Sequence, residues 1–320
     1  MVLIRTGCRP GMVDRSFDFT ASPRLCWPTM GFTRGGLAFL VACSRGGIDL
    51  GQTLTIGRHQ VVAGGPRGVQ KGMREGGVSI SLDDAGLLLS DGDGYCEPIL
   101  EWLGAKTVDS LDMSNYEGAT ILHDLNDPLP TEYRKSFSTV IDSGTLEHIF
   151  DFPSAIKSSL DAVEMGGHFV ALGSPVTDYS GHGFYQFTPE LWYRVLSEQN
   201  GFRVRAMLWR AEPSHARWYE VADPASVKHR VERQSPFRVM LYLAAQRISP
   251  REIFSQSPQQ SDYVAAWEGR GAPAAKMSVM LLHLYRKSPR LAFVGTLKHA
   301  TGQGSRGDFR HVSLRNFHFA

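Results

Sequence analysis

The sequence predicts an α/β protein: a three-layer sandwich on a mostly parallel, seven-stranded sheet with an antiparallel edge. Three observations predict it. The stretch 137–150, FSTVIDSGTLEHIF, opens as a short β-branched and aromatic run suited to a strand covered on both faces. It stops at Asp142 and turns at Ser143-Gly144. Asp151 then offers an N-cap for a helix to about Glu164, Gly166-Gly167 break it, and the apolar run 168–172 follows, which completes a strand–helix–strand unit. Short apolar runs also occur at 52–56, 107–111 and 120–122. Those at 202–209 and 239–245 have no long helix between them, as an antiparallel edge pair requires.

Composition sets the class of protein. With 320 residues, 42% hydrophobic and 21% charged, the chain suits one large or two small globular domains with a sizeable core. A formal net charge of +2 gives no electrostatic reason for a nucleic-acid or anionic-membrane partner. Cys8, Cys26, Cys43 and Cys96 form no CxxC pair and read as free thiols of a reducing, cytoplasmic protein. No apolar run approaches the roughly 18 residues of a membrane span. The run 36–43 loosely resembles a signal-peptide core, but it starts well inside the chain and lacks a good cleavage site after it.

Taken in order, residues 1–30 lack periodicity, carry three prolines and read as a poorly ordered lead-in, with Met30 an alternative start. Residues 33–44 have a helix-length apolar pattern stopped by Gly46-Gly47. The strand 52–56 ends at Gly57, which either admits a ligand close to the backbone or serves a tight turn. Residues 63–94 read as a glycine-rich, charged insertion in which Leu87-Leu88-Leu89 make a small strand or contact. Asp91-Gly92-Asp93-Gly94 lacks the remainder of an EF-hand or P-loop and reads as a turn. A helix over 97–103 precedes a strand ending at Asp112. Only 113–119 then precede the strand 120–122, so either the linking helix is reduced or the strand ends shift. Beyond Gly173, a polar loop carries GHGFYQF (181–187). Thr188 and Pro189 then open a helix whose apolar face is Leu191, Trp192, Val195 and Leu196. After Ser249 the pattern breaks up, and 269–320 reads as a C-terminal extension with one docked helix at most and a loose tail.

Polar residues recur at the carboxyl ends of predicted strands: Gly57, Asp112, Asp124 and Asp142. An acid at the second strand end can accept both hydroxyls of a ribose, and one a strand further out can accept from an adenine amino group. Each alone also serves as an N-cap or turn residue; together they point to a nucleoside ligand.

The stretches LTIGRH, VDSLDMSNYEGATILHDLNDPLP, FSTVIDSGTLEHIFDFP, GGHFVALGSP and GHGFYQFTPELWYRVLSEQNGF together resemble class I S-adenosylmethionine-dependent methyltransferases. The likeness is greatest to a bacterial branch that keeps the GTLEH and GHGFYQF stretches. The resemblance covers roughly residues 34–268 and implies a Rossmann-like domain over 31–268. It implies S-adenosylmethionine as cofactor and a small-molecule or glycan-type acceptor. Gly57, with Arg58 beside it, would lie under the methionine part. Asp112 would hold the ribose, Asp124 and Leu125 would flank the adenine, and Asp142, Ser143 and Gly144 would line the methionine side beside the transferred methyl. Glu147 and His148 would stand just beyond. The family's glycine-rich first loop is reduced here to Ile56-Gly57-Arg58.

Methyl transfer needs alignment and, for a hydroxyl acceptor, a base. His182 and His148 are the candidate catalytic residues, since their unperturbed pKa lies near neutrality. His148, at a helix entry, serves more readily as a backbone hydrogen-bond partner than as a base, and His182 divides evenly between function and structure. Tyr185, Gln186 and Phe187 are candidate acceptor-pocket residues. No Cys/His cluster has metal-ligand spacing, so no metal is expected, and no Gly-x-Ser-x-Gly elbow occurs. Two rival functions share the fold. One is a non-catalytic binding or scaffold protein. The other is a nicotinamide-dependent oxidoreductase, against which the lack of G-x-G-x-x-G after the first strand counts.

Overall fold

The structure is a computed structural model that describes residues 31–212, 217–269 and 307–319. Its strands are β1 (Gln52–Ile56), β2 (Thr107–Asp112), β3 (Ile121–Leu122), β4 (Phe137–Asp142), β5 (Val163–Thr177), β6 (Phe202–Ala211), β7 (Trp218–Val221), β8 (Val239–Arg247) and β9 (Phe309–Val312). The helices are α1 (Arg34–Arg45), α2 (Gly65–Gly76), α3 (Leu82–Ser90), α4 (Glu97–Trp102), α5 (Phe152–Ala162), α6 (Pro189–Val195), α7 (Pro224–Val227) and α8 (Ser261–Trp267).

Neighbouring residues of the central strands point into two different apolar clusters. Val140, Phe169 and Ala171 pack into one; Ile141, Val170 and Leu172 pack into the other. Side chains alternate across a strand, so a strand apolar at every position needs cover on both faces. Ile156 and Leu160 of α5 and Trp192 of α6 supply it on one side; Phe39 of α1, Met73 of α2 and Ile99 of α4 supply it on the other. The result is a three-layer, Rossmann-like sandwich.

The strand order is β3-β2-β1-β4-β5-β8-β6-β7-β9. β1 to β5 run parallel, with Leu54 opposite both Asp109 and Val140. β8 is antiparallel to β5 and β6. The seven strands expected from the sequence are therefore present, and β7 and β9 extend the edge to nine. The order reverses where β1 lies between β2 and β4. In open α/β sheets the crevice at the carboxyl ends beside such a reversal receives ligands.

Three departures from the sequence reading have local causes. The glycine-rich insertion 63–94 forms α2 and α3, and Leu87-Leu88-Leu89 lie in α3 rather than in a small strand. Gly72 and Gly76 are packing residues, because a Cβ there would lie 3.1 Å from the Arg34 carbonyl oxygen and 2.5 Å from that of Ala38. Ser81 caps α3 in a capping box with Asp84, its Oγ accepting from the Asp84 amide at 2.9 Å. Second, residues 164–167 belong to β5, not to the preceding helix, which stops at Ala162. Third, residues 307–319 do not trail away. β9 pairs with β7, and Leu314 is buried. The short link between β2 and β3 is a crossover without a helix, tied by the Ser110 amide donating to Thr120 Oγ1 (2.9 Å). The lead-in 1–30, with Cys8 and Cys26, lies outside the described residues, and Cys43 and Cys96 are free and buried. Among the described residues no helix is long and apolar enough to cross a membrane.

Candidate functional site

Gly57, Asp112, Asp124 and Asp142 stand at or just beyond the carboxyl ends of β1, β2, β3 and β4, four consecutive strands of one rim. Gly57 has φ +83° and donates its amide to the Leu111 carbonyl at 2.7 Å. A Cβ there would lie 2.7 Å from Thr145 Oγ1, and that hydroxyl donates to the Ile56 carbonyl at 2.6 Å. The glycine is thus demanded both by its left-handed backbone and by the GTLEH stretch seated over the end of β1. Asp112 accepts from the Ser114 amide (2.9 Å) and hydroxyl (3.3 Å), both through Oδ1. Asp124 accepts from the Asn126 amide (2.9 Å) and side-chain amide (2.8 Å), which hold its carboxyl below the usual range.

The β4 end is different in kind. Asp142 is 1% exposed. Oδ1 accepts from the amides of Thr145 (3.0 Å) and Leu146 (3.3 Å), while the buried Oδ2 has no hydrogen-bond partner. Burial, reinforced by nearby Glu147, pushes this carboxyl up to about 7 despite those amides. A 3-10 turn over Leu146–His148 follows. It presents Glu147, fully buried, and His148, half-buried, whose imidazole burial pushes down in pKa. The loop carrying His182 is pinned onto this turn: the Phe184 amide donates to the Glu147 carbonyl at 2.7 Å, and that of Tyr185 at 3.3 Å. Gly183, φ +68°, permits the approach, because a Cβ would lie 2.7 Å from the same carbonyl oxygen. His182 Nε2 consequently lies 3.5 Å from Glu147 Oε1, and its ring meets that of His148 edge-on at 4.9 Å.

Glu147 and His182 border a cavity of about 220 Å³ at the ends of β4, β5 and β8, lined also by Ser143, Gly144, Tyr179 and Arg238. A larger concavity of about 420 Å³ lies beside α6, α7 and α8. Two of its cations are already paired, Arg230 with Asp262 at 2.7 Å and Arg194 with Asp223, and its size alone assigns it no chemistry.

Several expected contact residues are otherwise engaged. Arg58 pairs with Glu97 (2.6 Å), donates to the Glu117 carbonyl (2.8 Å) and lies over the Tyr95 ring, binding local elements together. Ser143 donates to the Gly31 carbonyl at 3.0 Å, and Leu125 is a core residue. Phe187, expected in an acceptor pocket, is 1% exposed and packs on Phe152 and Trp192, so it is core. The adjoining apolar helix, not the loop, governs it. Tyr185 donates to the Phe150 carbonyl, and Gln186 accepts from the Tyr179 amide. Two residues were missed. The sequence places Glu147 only just beyond the methionine side, although a Glu amid GTLEH, at a buried strand end, is a signal in itself. His59 is buried with Nε2 unpartnered, which pushes its imidazole down to about 4. Nothing in its sequence context distinguishes it from an exposed histidine after a turn.

No family model matches the chain, and no curated protein matches it. Solved structures do. The branched-chain polyamine synthase of Thermus thermophilus, in complex with N4-aminopropylspermidine and 5'-methylthioadenosine, is 13% identical with a TM-score of 0.36. That match covers 74% of this chain and 63% of the synthase, so less than two thirds of the latter is spanned. An S-adenosylmethionine-dependent methyltransferase from Mesorhizobium loti is 17% identical over 66% of this chain and 98% of that one, with a TM-score of 0.36. A methyltransferase from Thermotoga maritima, a possible histamine N-methyltransferase, is 13% identical over 68% and 90%, with a TM-score of 0.33. Similarities this loose accompany the sheet topology and assign no activity.

Proposed function

We propose that the chain transfers a methyl group from S-adenosylmethionine to a hydroxyl of a small-molecule or glycan-type acceptor. The observation that carries this reading is the rim itself: a glycine and three acids at the ends of β3, β2, β1 and β4, across the reversal of strand order. The donor set fits an adenosyl ligand. Asp112 turns one oxygen to its own loop, which leaves the carboxylate's other oxygen for a ribose hydroxyl, and Asp142 keeps an orphaned oxygen. In this reading Asp112 takes the ribose and Asp124 flanks the adenine, while Leu125 stays in the core. Gly57, Arg58, Ser143 and Gly144 border the methionine end. When bound, the cofactor supplies an activated methyl. The chain's own tasks are to orient it, exclude water and handle the acceptor's proton.

The acceptor side is the cavity, and His182 and His148 are the groups proposed against its hydroxyl. Tyr185 and Gln186 support the pocket wall from behind.

The test is turnover of S-adenosylmethionine to S-adenosylhomocysteine with a panel of hydroxylated acceptors. Acceptor-dependent release of the thioether is expected. Binding of the cofactor without turnover on any acceptor class would instead support the scaffold reading, to which the Thr145 hydroxyl seated over Gly57 lends weight.

A further inference from the structure

Resting on that reading of the cavity as the acceptor side, we propose that Glu147, His148 and His182 form a site for one divalent transition-metal cation, with an open coordination position toward the acceptor. The fold brings the three together from two segments: one ligand atom of each lies within 4.8 Å of the others. Glu147 is 1% exposed. Its Oε2 and the buried Nε2 of His148 have no hydrogen-bond partner, and the Glu147–His182 approach of 3.5 Å is longer than a good hydrogen bond.

Burying a carboxylate beside two imidazoles without pairing their lone pairs is unfavourable. A dication among them satisfies all three at once. One carboxylate and two imidazoles is a ligand set suited to zinc and neighbouring first-row metals, and three protein ligands leave a fourth position open. Tetrahedral coordination at zinc bond lengths puts ligand atoms about 3.4 Å apart, so the cluster closes by rotamer adjustments of about 1 Å. The setting is rigid where that matters. The Glu147 carbonyl clamps the His182 loop through the Phe184 and Tyr185 amides, so the backbone that carries one ligand fixes the loop that carries another.

Glu147 and His182 both line the cavity, so the open position faces it. An oxygen donor of the acceptor fits there, which narrows the acceptor class to hydroxylated compounds able to ligate a metal. As free imidazoles the two histidines would accept the acceptor's proton. As ligands they hold the cation, which polarises the hydroxyl, and the proton leaves through the cavity mouth to water.

The experiment uses the full chain without a histidine tag, stripped with a chelator and free of S-adenosylmethionine. Zinc is titrated in competition with a chromogenic chelator, and cobalt is followed by its visible absorption. One equivalent at micromolar affinity or tighter is expected, with tetrahedral cobalt bands. His182→Asn, on an accessible loop, and Glu147→Gln each weaken zinc at least about tenfold, whereas His123→Ala leaves it unchanged; circular dichroism checks folding. Substoichiometric binding, or equal affinity in His182→Asn and the unaltered chain, overturns the metal site. Calorimetry with S-adenosylhomocysteine on the same stripped protein separates the two readings. Homocysteine-adenosyl binding without zinc binding sinks only the metal, and zinc binding without it sinks only the methyl-transfer reading.

Discussion

The two halves of the rim solve the same problem in opposite ways. At the ends of β2 and β3, polar groups are half-buried and satisfied locally, Asp112 by Ser114 and Asp124 by Asn126, and the buried end of β1 is closed by the Thr145 hydroxyl. At the ends of β4 and β5, polar groups are buried and left open, with Asp142 Oδ2, Glu147 Oε2, His148 Nε2 and the Tyr179 hydroxyl all unpartnered. Buried polar atoms are nearly always paired, so a cluster of orphans marks where something else completes the structure. The locally satisfied half can exchange its bonds for a ligand's at little net free energy; the open, buried half gains most when filled.

That contrast can be broken at either side. The largest effect belongs to the buried half: Glu147→Gln or His182→Ala is expected to lower turnover about 100-fold or more. S-adenosylhomocysteine affinity should stay within about threefold, which kinetics beside calorimetry would read. A parallel loss of affinity would merge the two halves into one site.

Next comes pH. Burial depresses the His59 imidazole from its ordinary value to about 4, so the unfolded chain binds this proton more tightly. Stability from His59 is fully present above about 6.5 and is lost as pH falls toward 4, by up to about 3 kcal/mol. Asp142, pushed up to about 7, contributes the opposite slope in this window, and His168, pushed down to about 4, adds to that of His59. The readout from denaturant melts is therefore the stability difference between the unaltered chain and His59→Gln, which should decline by that amount as pH falls from about 6.5 to 4. A smaller change is expected for Gly57→Ala, about 2 kcal/mol from its positive φ and the Thr145 contact. Combining it with Thr145→Ala should recover the steric part, which a double-mutant cycle measures. The smallest effect is Asp112→Ala. It should leave the melting temperature nearly unchanged and weaken S-adenosylhomocysteine about tenfold, about 1.4 kcal/mol. An unchanged affinity would remove Asp112 from the ribose contact.

Much of this was legible in the chain. The two-sided apolar runs at 137–141 and 168–172 specify covered parallel strands, and the Asp151 and Thr188 caps mark true helix starts. Local composition hides the helices at 63–94, where Gly72 and Gly76 of a glycine-rich stretch are the contact surface between α1 and α2. Only the partner helix reveals that. The strand-end acids could be read because each follows its own strand directly. The Glu147–His148–His182 group could not be read in full. His182 reaches Glu147, 35 residues away, through a backbone clamp between their segments, and no spacing rule encodes such a clamp. Phe187 is flanked in sequence by polar Gln186 and Thr188, whereas its neighbours in space are Phe152 and Trp192, which make it core.

The most direct measurement is a calorimetric titration of the folded chain with S-adenosylhomocysteine. The account predicts saturable one-to-one heat that Asp112→Ala diminishes. A flat titration from protein with an intact cooperative melt would contradict it, whatever else the cavity binds.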